Sequence, residues 1–344
     1  MRLVRSLTFV EPGTLEWREV DAPALQGAGD ALVRPIAAAA CDLDAAVVRG
    51  LVPIPGPYAF GHEFVGEVTD VADGVTAVKP GDRVVVSFQV YCGTCGRCRR
   101  GLTANCEGEG VNYRAMYGFG PLGGLRWGGA FSDLVRVPFA DAMLFPVPDG
   151  IEPGTLATAS DNITDGWRRV GPALEGGHAG AEVLIVAGGA PSIALYAVDA
   201  ARALGAARVV YIDHNPERRS AAEAYGAKTI AELPDRKAGR FGVTVDASGS
   251  EAGLHVALRS TAPGGVCESV GIYYAPTPMP LLEMYDAGIT FVTGRPHVGP
   301  MFPRVLDLIA TGRIDPDRIR TTVGWDEAPD ALLDPPTKLV FVRD

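Results

Sequence analysis

The chain has 344 residues, about twice a typical domain length, which excludes a single small module and predicts two domains or one large one. Its formal net charge is −10 and its basic residues are scattered, so neither nucleic acid nor an anionic membrane is an expected partner. Apolar residues make up 47% of the chain, and 43 Gly and 27 Pro stay below the level of low-complexity sequences. A folded globular protein that acts on small molecules is predicted.

The two halves of the chain differ in pattern. Residues 1 to about 155 contain short apolar stretches separated by Gly and Pro, at 31–40, 66–71, 83–88 and 131–137, which is typical of an irregular β-rich domain. From about 158 onward buried strands (AEVLIVAGG, ARVVYID, FGVTVDAS) alternate with helices (SIALYAVDAARALGA, PERRSAAEAYGA). This alternation predicts an α/β fold class with a doubly wound parallel sheet of about six strands. The tail, ending in the strand TKLVFVRD, is predicted to return to the first domain.

No targeting or membrane-spanning segment is predicted. The N-terminal stretch MRLVRSLTFVEPG reaches Glu11 before the apolar region of a signal peptide develops. The longest uncharged run, 183–198, is shorter than a membrane span and is interrupted by two Gly and a Pro. We therefore expect a cytoplasmic protein.

Four of the six cysteines form a compact cluster. Cys92, Cys95, Cys98 and Cys106 lie within fifteen residues, while the other two stand at 41 and 267. Cytosolic reductants keep thiols reduced, so this spacing favours metal-binding thiolates, with an iron–sulfur cluster or a disulfide pair as the alternatives. Four thiolates can enclose a tetrahedral zinc ion with no open position. The cluster therefore predicts a structural zinc site, and Cys267 is predicted to be a buried, inert thiol.

A second group of metal-ligand residue types is formed by Cys41 and the segment GHEFVG, which contains His62 and Glu63. The longer segment GHEFVGEVTDVADGVTAVKPGDRV closely resembles the signature of the zinc-dependent medium-chain alcohol dehydrogenases. The resemblance extends over nearly the whole chain, through the four-cysteine cluster, WGGAFSDLVRVP, the strand–helix repeats, the PGG near 263 and the closing TKLVF. It implies a zinc- and NAD(P)-dependent oxidoreductase that transfers hydride between a nicotinamide cofactor and an alcohol or carbonyl substrate.

The resemblance also implies a catalytic zinc site. Carried over residue by residue, it assigns the first two ligands to Cys41 and His62, and the third, a Cys, Asp or Glu in this family, to Asp161 in the segment ASDNITDGW. One thiolate, one imidazole and one carboxylate leave a fourth position for water or a substrate oxygen. For Glu63 the resemblance implies either a residue that contacts the ligands without binding the metal or an alternate ligand. For Asp161 the alternative to a ligand is an N-cap of the following helix. With the four-cysteine cluster, two zinc ions per chain are expected.

The same resemblance implies how the chain is divided. A β-rich GroES-like catalytic domain is expected over residues 1–157, completed by 295–344, and a dinucleotide-binding Rossmann domain over 158–294. A ligand is expected in a cleft at the carboxyl ends of the strands. Candidate lining residues are Tyr58, Tyr113, Tyr117, Phe119 and Trp127. Members of the family are commonly dimers or tetramers, so a homo-dimer or homo-tetramer is expected.

The turn that would hold the nucleotide departs from its usual pattern. The residues between the buried strand and the helix are Gly188, Gly189, Ala190, Pro191, Ser192 and Ile193. No register restores the three glycines of a G-x-G-x-x-G turn, and Ala194 takes the place of the third. Asp213 ends the next strand, where a carboxylate accepts hydrogen bonds from both ribose hydroxyls and repels a 2′-phosphate. NAD(H) is therefore favoured, although Arg218 and Arg219 leave NADP(H) open.

The most informative departure from the family lies just after the first zinc ligand. Members that oxidise alcohols usually place Ser or Thr two residues beyond that Cys, and often a His five beyond, as a relay that carries the alcohol proton to solvent. This chain has Leu43 and Ala46, which cannot carry a proton. Asp42, Asp44 and Glu63 are the nearby candidates to replace the relay.

Three hypotheses fit these residues. The leading one is a dehydrogenase or reductase of a secondary alcohol, a polyol or the corresponding carbonyl. The second is a relative that kept zinc but reduces an iminium or an activated carbonyl, or uses zinc as a Lewis acid for a non-redox elimination. The third, a non-catalytic binding protein, is disfavoured because every expected type of ligand is retained.

Overall fold

The computed structural model describes residues 2–124 and 127–343, which divide into two compact units. The first unit contains the described residues up to Asp161, Pro296–Ala310 and the described residues from Arg320 onward; the second contains Asn162–Arg295 and Thr311–Ile319. The sequence predicts boundaries at 157/158 and 294/295. The division observed lies at 161/162 and 295/296, and it also assigns Thr311–Ile319 to the second unit.

The secondary structure, taken in chain order, consists mostly of short elements. The strands are β1 (Leu3–Glu11), β2 (Thr14–Asp21), β3 (Ala31–Ala39), β4 (Tyr58–Ala59), β5 (Glu63–Val71), β6 (Arg83–Val86), β7 (Val135–Val137), β8 (Leu144–Pro146), β9 (Val183–Val186), β10 (Val209–Ile212), β11 (Lys228–Ile230), β12 (Phe241–Asp246), β13 (Thr261–Ser269), β14 (Thr290–Thr293), β15 (Arg320–Gly324) and β16 (Lys338–Val342). The helices are α1 (Asp42–Val48), α2 (Gly96–Arg99), α3 (Gly120–Gly123), α4 (Ala140–Met143), α5 (Pro153–Leu156), α6 (Asn162–Arg168), α7 (Gly171–Leu174), α8 (Pro191–Ala203), α9 (Pro216–Ala224), α10 (Glu251–Ser260), α11 (Leu281–Ala287), α12 (Val298–Ala310) and α13 (Ala328–Ala331). Single 3₁₀ turns cover Thr103–Asn105, Pro316–Ile319 and Trp325–Glu327.

The first unit is built on two β-sheets. The larger, seven-stranded sheet has the order β15-β16-β3-β5-β6-β8, with β7 paired to β3, and β2-β1-β4 form a smaller sheet. In β3 every second residue from Ala31 to Ala37 is buried, as expected for a strand with one face on a core. The C-terminal β16 runs antiparallel to β3, and Phe341 packs edge-on against Phe131 with ring centroids 5.0 Å apart. The last strand of the chain therefore completes the core of the first unit.

The register of the larger sheet brings distant parts of the sequence together. Strands β3 and β5 are antiparallel, and Ala39, near the end of β3, lies opposite Glu63 at the start of β5. Because Cys41 follows β3 and His62 precedes β5, antiparallel pairing places these two residues at the same edge of the sheet. The neighbouring β16 adds the segment that begins at Lys338.

The second unit is built on a six-stranded sheet with the order β11-β10-β9-β12-β13-β14, and every neighbouring pair is parallel. Val183–Val186 of β9 are all buried, which fits a strand covered on both faces. The chain reverses its direction of winding at β9, and in such sheets ligands bind outside the carboxyl end of that strand. A β-rich unit and a doubly wound parallel sheet confirm the predicted α/β fold class. None of the described helices has the length and hydrophobicity needed to cross a membrane.

Candidate metal centres and nucleotide site

Cys41 lies at the junction between β3 and α1. Its sulfur accepts hydrogen bonds from the backbone N–H groups of Leu43 (3.2 Å) and Asp44 (3.4 Å). In turn, Oδ2 of Asp44 accepts a hydrogen bond from the N–H of Cys41 at 3.0 Å. These bonds form a capping box that fixes the thiol at the start of the helix. Burial, followed by the charge of Asp44, raises the pKa of the Cys41 thiol above its ordinary value. A bound cation offsets that effect because it stabilises the thiolate directly.

His62 stands between two carboxylates. Its Nε2 lies 3.2 Å from Oδ2 of Asp161, and its Nδ1 lies 3.5 Å from Oδ1 of Asp44. Burial opposes protonation of the imidazole, but the charges of Asp44 and Cys41 and the hydrogen bond to Asp161 outweigh it and raise the pKa of His62. With Asp44 on the Nδ1 side, Nε2 is the nitrogen left to face a metal ion.

The donor atoms of these side chains fit a zinc ion. One atom each from Cys41, His62 and Asp161 lies within 4.8 Å of the other two. Nitrogen and oxygen ligands of tetrahedral zinc, about 2.0–2.1 Å from the metal, lie roughly 3.3 Å apart. The distance between His62 Nε2 and Asp161 Oδ2, 3.2 Å, matches this value. A thiolate, an imidazole and a carboxylate are the kind of donor set that leaves one coordination position open.

Glu63 follows His62 in the sequence but lies outside this donor set. Its Oε1 accepts the hydroxyl of Thr158 at 2.8 Å, and its Oε2 accepts the ammonium group of Lys338 at 2.5 Å. The side chains of Glu63 and Lys338 are both fully buried. Both oxygens of Glu63 are thus occupied by donors, which is the geometry of a partner behind the ligands rather than of an alternate ligand.

Leu43 and Ala46 stand at the two positions where other family members carry the proton relay. Leu43 is half-buried and packs on the core of the first unit, and Ala46 is half-buried on α1. The rings of Phe88 and Phe119 lie 5.5 and 4.6 Å from the imidazole of His62, measured between centroids. Among the predicted lining residues, Phe119 therefore lies against the candidate ligand His62.

The lobe formed by residues 92–106 folds around α2 and brings four thiol groups together. The sulfur atoms of Cys92 and Cys106 are 3.6 Å apart, and those of Cys95 and Cys106 are 4.0 Å apart. In a tetrahedral site with zinc–sulfur bonds of about 2.3 Å, the sulfurs lie roughly 3.8 Å from one another. With Cys98, all four offer a donor within 4.8 Å of the others, and all are free of disulfides. The lobe fits a closed zinc site.

Backbone N–H groups donate to the sulfur atoms of this lobe and favour the thiolate form of Cys95 in particular. The N–H of Cys95 donates to Cys92 Sγ, and that of Gly108 donates to Cys106 Sγ, both at 3.3 Å. Burial opposes ionisation of Cys95, but N–H groups that include that of Cys98 outweigh it and lower the pKa of this thiol to about 6. A Cβ atom at Gly108 would lie 2.7 Å from Cys92 Sγ, so this close approach requires glycine.

The turn after β9 packs closely on the loop after β12. The N–H of Gly189 donates to the carbonyl of Ser248 at 2.9 Å, and that of Ala190 donates to Ala247 at 3.0 Å. A Cβ atom at either Gly188 or Gly189 would lie 3.0 Å from the carbonyl oxygen of Ser248. A side chain at either position would therefore crowd the loop after β12, whatever the turn binds.

Helix α8 begins directly at this turn, at the carboxyl end of β9. Pro191 occupies its first turn with Ser192 and Ile193, and the preceding Ala190 provides no side-chain cap. Such a helix start is where the pyrophosphate of a dinucleotide binds in doubly wound sheets, because backbone N–H groups and the helix dipole favour an anion. The predicted turn residues are thus placed where a nucleotide would bind.

Asp213 follows β10, and its buried carboxylate is already bound by protein donors. Arg218 donates to it through Nε at 2.7 Å and Nη2 at 2.8 Å, and the Tyr211 hydroxyl and the Asn215 N–H each donate at 2.9 Å. Burial opposes ionisation, but Arg218 and Asn215 outweigh it, so the pKa of Asp213 lies below its usual range. Arg219 binds the backbone carbonyl of Asp213 at 2.9 Å. The carboxylate that is expected to bind the ribose hydroxyls is thus already neutralised by Arg218.

Comparison with known proteins identifies the family. Residues 27–149 match the alcohol dehydrogenase GroES-like domain, and residues 192–311 match the zinc-binding dehydrogenase family. Over 334 residues the chain is 30% identical to the Mycobacterium tuberculosis protein named "Probable zinc-binding alcohol dehydrogenase Rv1895", covering 94% of this chain and 83% of that protein. This chain belongs to the zinc-dependent medium-chain alcohol dehydrogenase family. The predicted class of zinc- and nicotinamide-dependent oxidoreductases of alcohols and carbonyls is thereby confirmed.

Solved structures of family members share the fold over the full chain length. The alcohol dehydrogenase TADH from Thermus sp. ATN1 is 33% identical, with a TM-score of 0.87, and the similarity covers 99% of this chain and 100% of that one. The acetophenone reductase from Geotrichum candidum NBRC 4597, in complex with NAD, is 21% identical with a TM-score of 0.83, over 99% of this chain and 98% of that one. The second similarity shows the shared fold alone.

Sequence reasoning missed two residues beside the candidate catalytic metal centre. Thr158 and Lys338 bind Glu63, and neither was expected there. Thr158 carried no signal, because a Thr three residues before a candidate ligand has many possible roles. Lys338 did carry one: it is a charged residue at the start of the apolar strand LVFV, and a Lys buried within a sheet requires a partner.

Proposed function

We propose that this oxidoreductase binds a catalytic zinc ion through Cys41, His62 and Asp161 and a structural zinc ion through the lobe of residues 92–106, two ions per chain. The observation that carries the proposal is the convergence of three donor atoms, from three separate chain segments, within 4.8 Å. When bound there, zinc supplies a Lewis acid that polarises an alcohol or carbonyl oxygen. A secondary alcohol, a polyol or the corresponding carbonyl is the proposed substrate class.

The chain's own residues set the charge and the orientation at this centre. Cys41 and Asp161 contribute two negative charges, which balance a divalent cation, while the neutral imidazole of His62 leaves that balance unchanged. Asp44 accepts the Cys41 N–H through one oxygen, and its other oxygen lies 3.5 Å from Nδ1 of His62, so a single carboxylate faces both proposed ligands. The nicotinamide cofactor, proposed to lie at the start of α8, accepts or delivers the hydride.

Leu43 and Ala46 favour a second candidate within the same family. Without a hydroxyl or imidazole at these positions, oxidation of a simple alcohol lacks the usual route for its proton. A substrate that carries its own acid or base needs no such route. Reduction of an iminium or an activated carbonyl, or a non-redox elimination, is therefore the alternative to oxidation of a simple alcohol.

The Leu43→Ser variant tests which candidate applies. We expect slow turnover of ethanol-like and simple secondary alcohols by the wild type, and an increase of ~10-fold or more in Leu43→Ser, because general acid–base help is typically worth ~10²–10⁴-fold. Leu43→Ala is the matched control, since it removes the same bulk without adding a hydroxyl. Turnover of an alcohol panel is followed by nicotinamide absorbance. A wild type already fast on simple alcohols, with no gain in Leu43→Ser, would show that water or an acidic residue replaces the relay.

We propose that NAD(H) is preferred over NADP(H), because the Arg218 guanidinium is already paired with both oxygens of Asp213 and therefore attracts a 2′-phosphate only weakly. NADH is expected to bind more tightly than NADPH. Asp213→Ala is expected to weaken the binding of NADH by roughly 10–100-fold, which is the contribution of a hydrogen bond to a charged group. The same variant is expected to reduce the difference in affinity between NADH and NADPH. Asp235→Ala, which removes an exposed carboxylate of the same unit, is the control. Fluorescence titration with NADH and with NADPH measures the two affinities. Equal or reversed affinities in the wild type would show that Arg218 or Arg219 determines which nucleotide binds.

We also propose that copies of the chain assemble into a homo-dimer or homo-tetramer. Strand β14 lies at the edge of the six-stranded sheet. The nearby segment exposes the apolar side chains of Ile272, Tyr274, Leu281, Leu282 and Tyr285. An open sheet edge and an apolar patch of this kind are typical of interaction surfaces. Light scattering tests the proposal, and a monomeric mass at micromolar concentration would contradict it.

The cytoplasm is the proposed compartment. The thiolates of both candidate centres bind metal only when reduced, and all six cysteines are free. Fractionation of the source cells followed by immunodetection tests this, and recovery from an oxidising compartment would contradict it.

A further inference from the structure

Lys338 is the most deeply buried cation associated with the candidate catalytic centre. Its side chain has no exposed surface, and neither has that of its partner Glu63. The ammonium group donates to Glu63 Oε2 at 2.5 Å and to the backbone carbonyl of Ala40 at 2.8 Å. Lysine is almost never fully buried unless it is paired, so these two acceptors account for its position.

The contacts of Lys338 and Glu63 reach all three chain segments that carry the proposed ligands. Ala40, which accepts from Lys338, directly precedes Cys41. Glu63 directly follows His62. Thr158, which donates to the other oxygen of Glu63 at 2.8 Å, lies three residues before Asp161. The ion pair therefore links the three ligand segments through residues that are not themselves ligands.

The charge of this pair has a direct consequence for the donor set. Glu63 is a buried carboxylate next to a ligand, and carboxylates are themselves zinc ligands. Lys338 and Thr158 occupy both of its oxygens and hold it away from the donor set. Without the ammonium group, Glu63 would keep the hydroxyl of Thr158 but lose its buried counter-charge, and a metal cation held by the neighbouring His62 would attract the carboxylate.

We propose that Lys338 is a positioning residue of the catalytic metal centre: it holds Glu63 out of the ligand set and fixes the segments that present Cys41, His62 and Asp161. This inference rests on the proposed function. Lys338 reaches the centre from β16, which pairs with β3 near the chain's end. Removing one partner of a buried ion pair leaves an uncompensated buried charge and destabilises the fold, so the variant that removes both charges is needed to separate metal retention from folding.

The test compares Lys338→Met with the double variant Lys338→Met/Glu63→Gln and with Arg343→Met. Arg343 follows the same strand and pairs with Asp133 at 2.9 Å, so its loss controls for removal of a cation from this segment. In the full-length zinc-loaded protein, Lys338→Met is expected to release the catalytic ion to a chromophoric chelator ~10–100-fold faster, as for other partners of metal ligands. The lobe of residues 92–106 retains its ion and serves as the internal control for folding. The double variant, which removes both charges, is expected to release its ion more slowly than the single variant.

A spectroscopic measurement separates positioning from a merely structural role. With Co²⁺ in the catalytic centre, the visible absorption reports the ligand set, and it is expected to change in Lys338→Met and not in Arg343→Met. Unchanged release and an unchanged spectrum in Lys338→Met would overturn the inference. Equal loss of both ions would overturn it too, because it would show only a general loss of structure. If the wild type holds zinc in the lobe alone, the proposed function fails together with this inference. If the wild type holds two ions and Lys338→Met releases the catalytic ion no faster, only this inference fails.

Discussion

Replacing Asp161 with alanine should remove one of two zinc ions and lower catalytic turnover on the order of 10³-fold. The carboxylate is proposed as one of three protein ligands, and its Oδ2 lies 3.2 Å from His62 Nε2. Metal polarisation of the substrate oxygen is worth several kcal/mol, and each 1.36 kcal/mol corresponds to tenfold in rate. Elemental analysis and steady-state kinetics measure the two effects.

The controls for this variant separate ligand loss from unfolding. Asp149→Ala removes an exposed carboxylate from the same unit and should keep both ions and full activity. In Asp161→Ala itself, the lobe should stay loaded. Two ions and normal turnover in Asp161→Ala would show that this residue serves only as a cap of the following helix.

Replacing Cys95 with serine should have the largest effect on stability. The lobe holds four thiols with sulfur separations near those of a zinc–sulfur site, and structural zinc contributes directly to folding free energy. Loss of one thiolate should empty the lobe and lower the melting temperature by ~10 °C or more, since each kcal/mol is worth about 2–4 °C in a domain of 150–250 residues.

Cys267→Ala is the matched control for the lobe. Cys267 is also buried and free, but it lies in the second unit, outside both groups of metal-ligand residues. It should keep both ions and lose little stability. Calorimetry and zinc content measure the outcome, and a Cys95→Ser protein with two ions or an unchanged melting temperature would refute a structural zinc.

Much of the fold could be read from local patterns. The buried runs at 183–186, 209–212 and 241–246 appear as β9, β10 and β12, because a strand covered on both faces consists almost entirely of apolar residues. The hairpin of β1 and β2 was not predicted, although polar and apolar residues alternate in parts of both strands and Pro12-Gly13 lies at the turn between them. Its signal is weaker because partly exposed strands mix polar and apolar residues.

The candidate metal-binding residues could be predicted where residue type and spacing alone point to metal binding. Four closely spaced cysteines, and Cys41 with His62, are informative by type and spacing. The contact between Lys338 and Glu63 spans 275 residues and depends on the pairing of β16 with β3, which no local pattern encodes. The bidentate pairing of Arg218 with Asp213 likewise depends on side-chain orientation, so sequence spacing left the role of that arginine open.

Cys41, His62 and Asp161 are proposed to hold a second zinc ion together. Diffraction from crystals of the native protein, recorded on both sides of the zinc absorption edge, would locate each zinc ion in the chain. Two anomalous peaks per chain are expected, one among the sulfurs of the lobe and one among Cys41 Sγ, His62 Nε2 and the carboxylate of Asp161. A single peak in the lobe, or a second peak bound by other residues, would contradict the proposal.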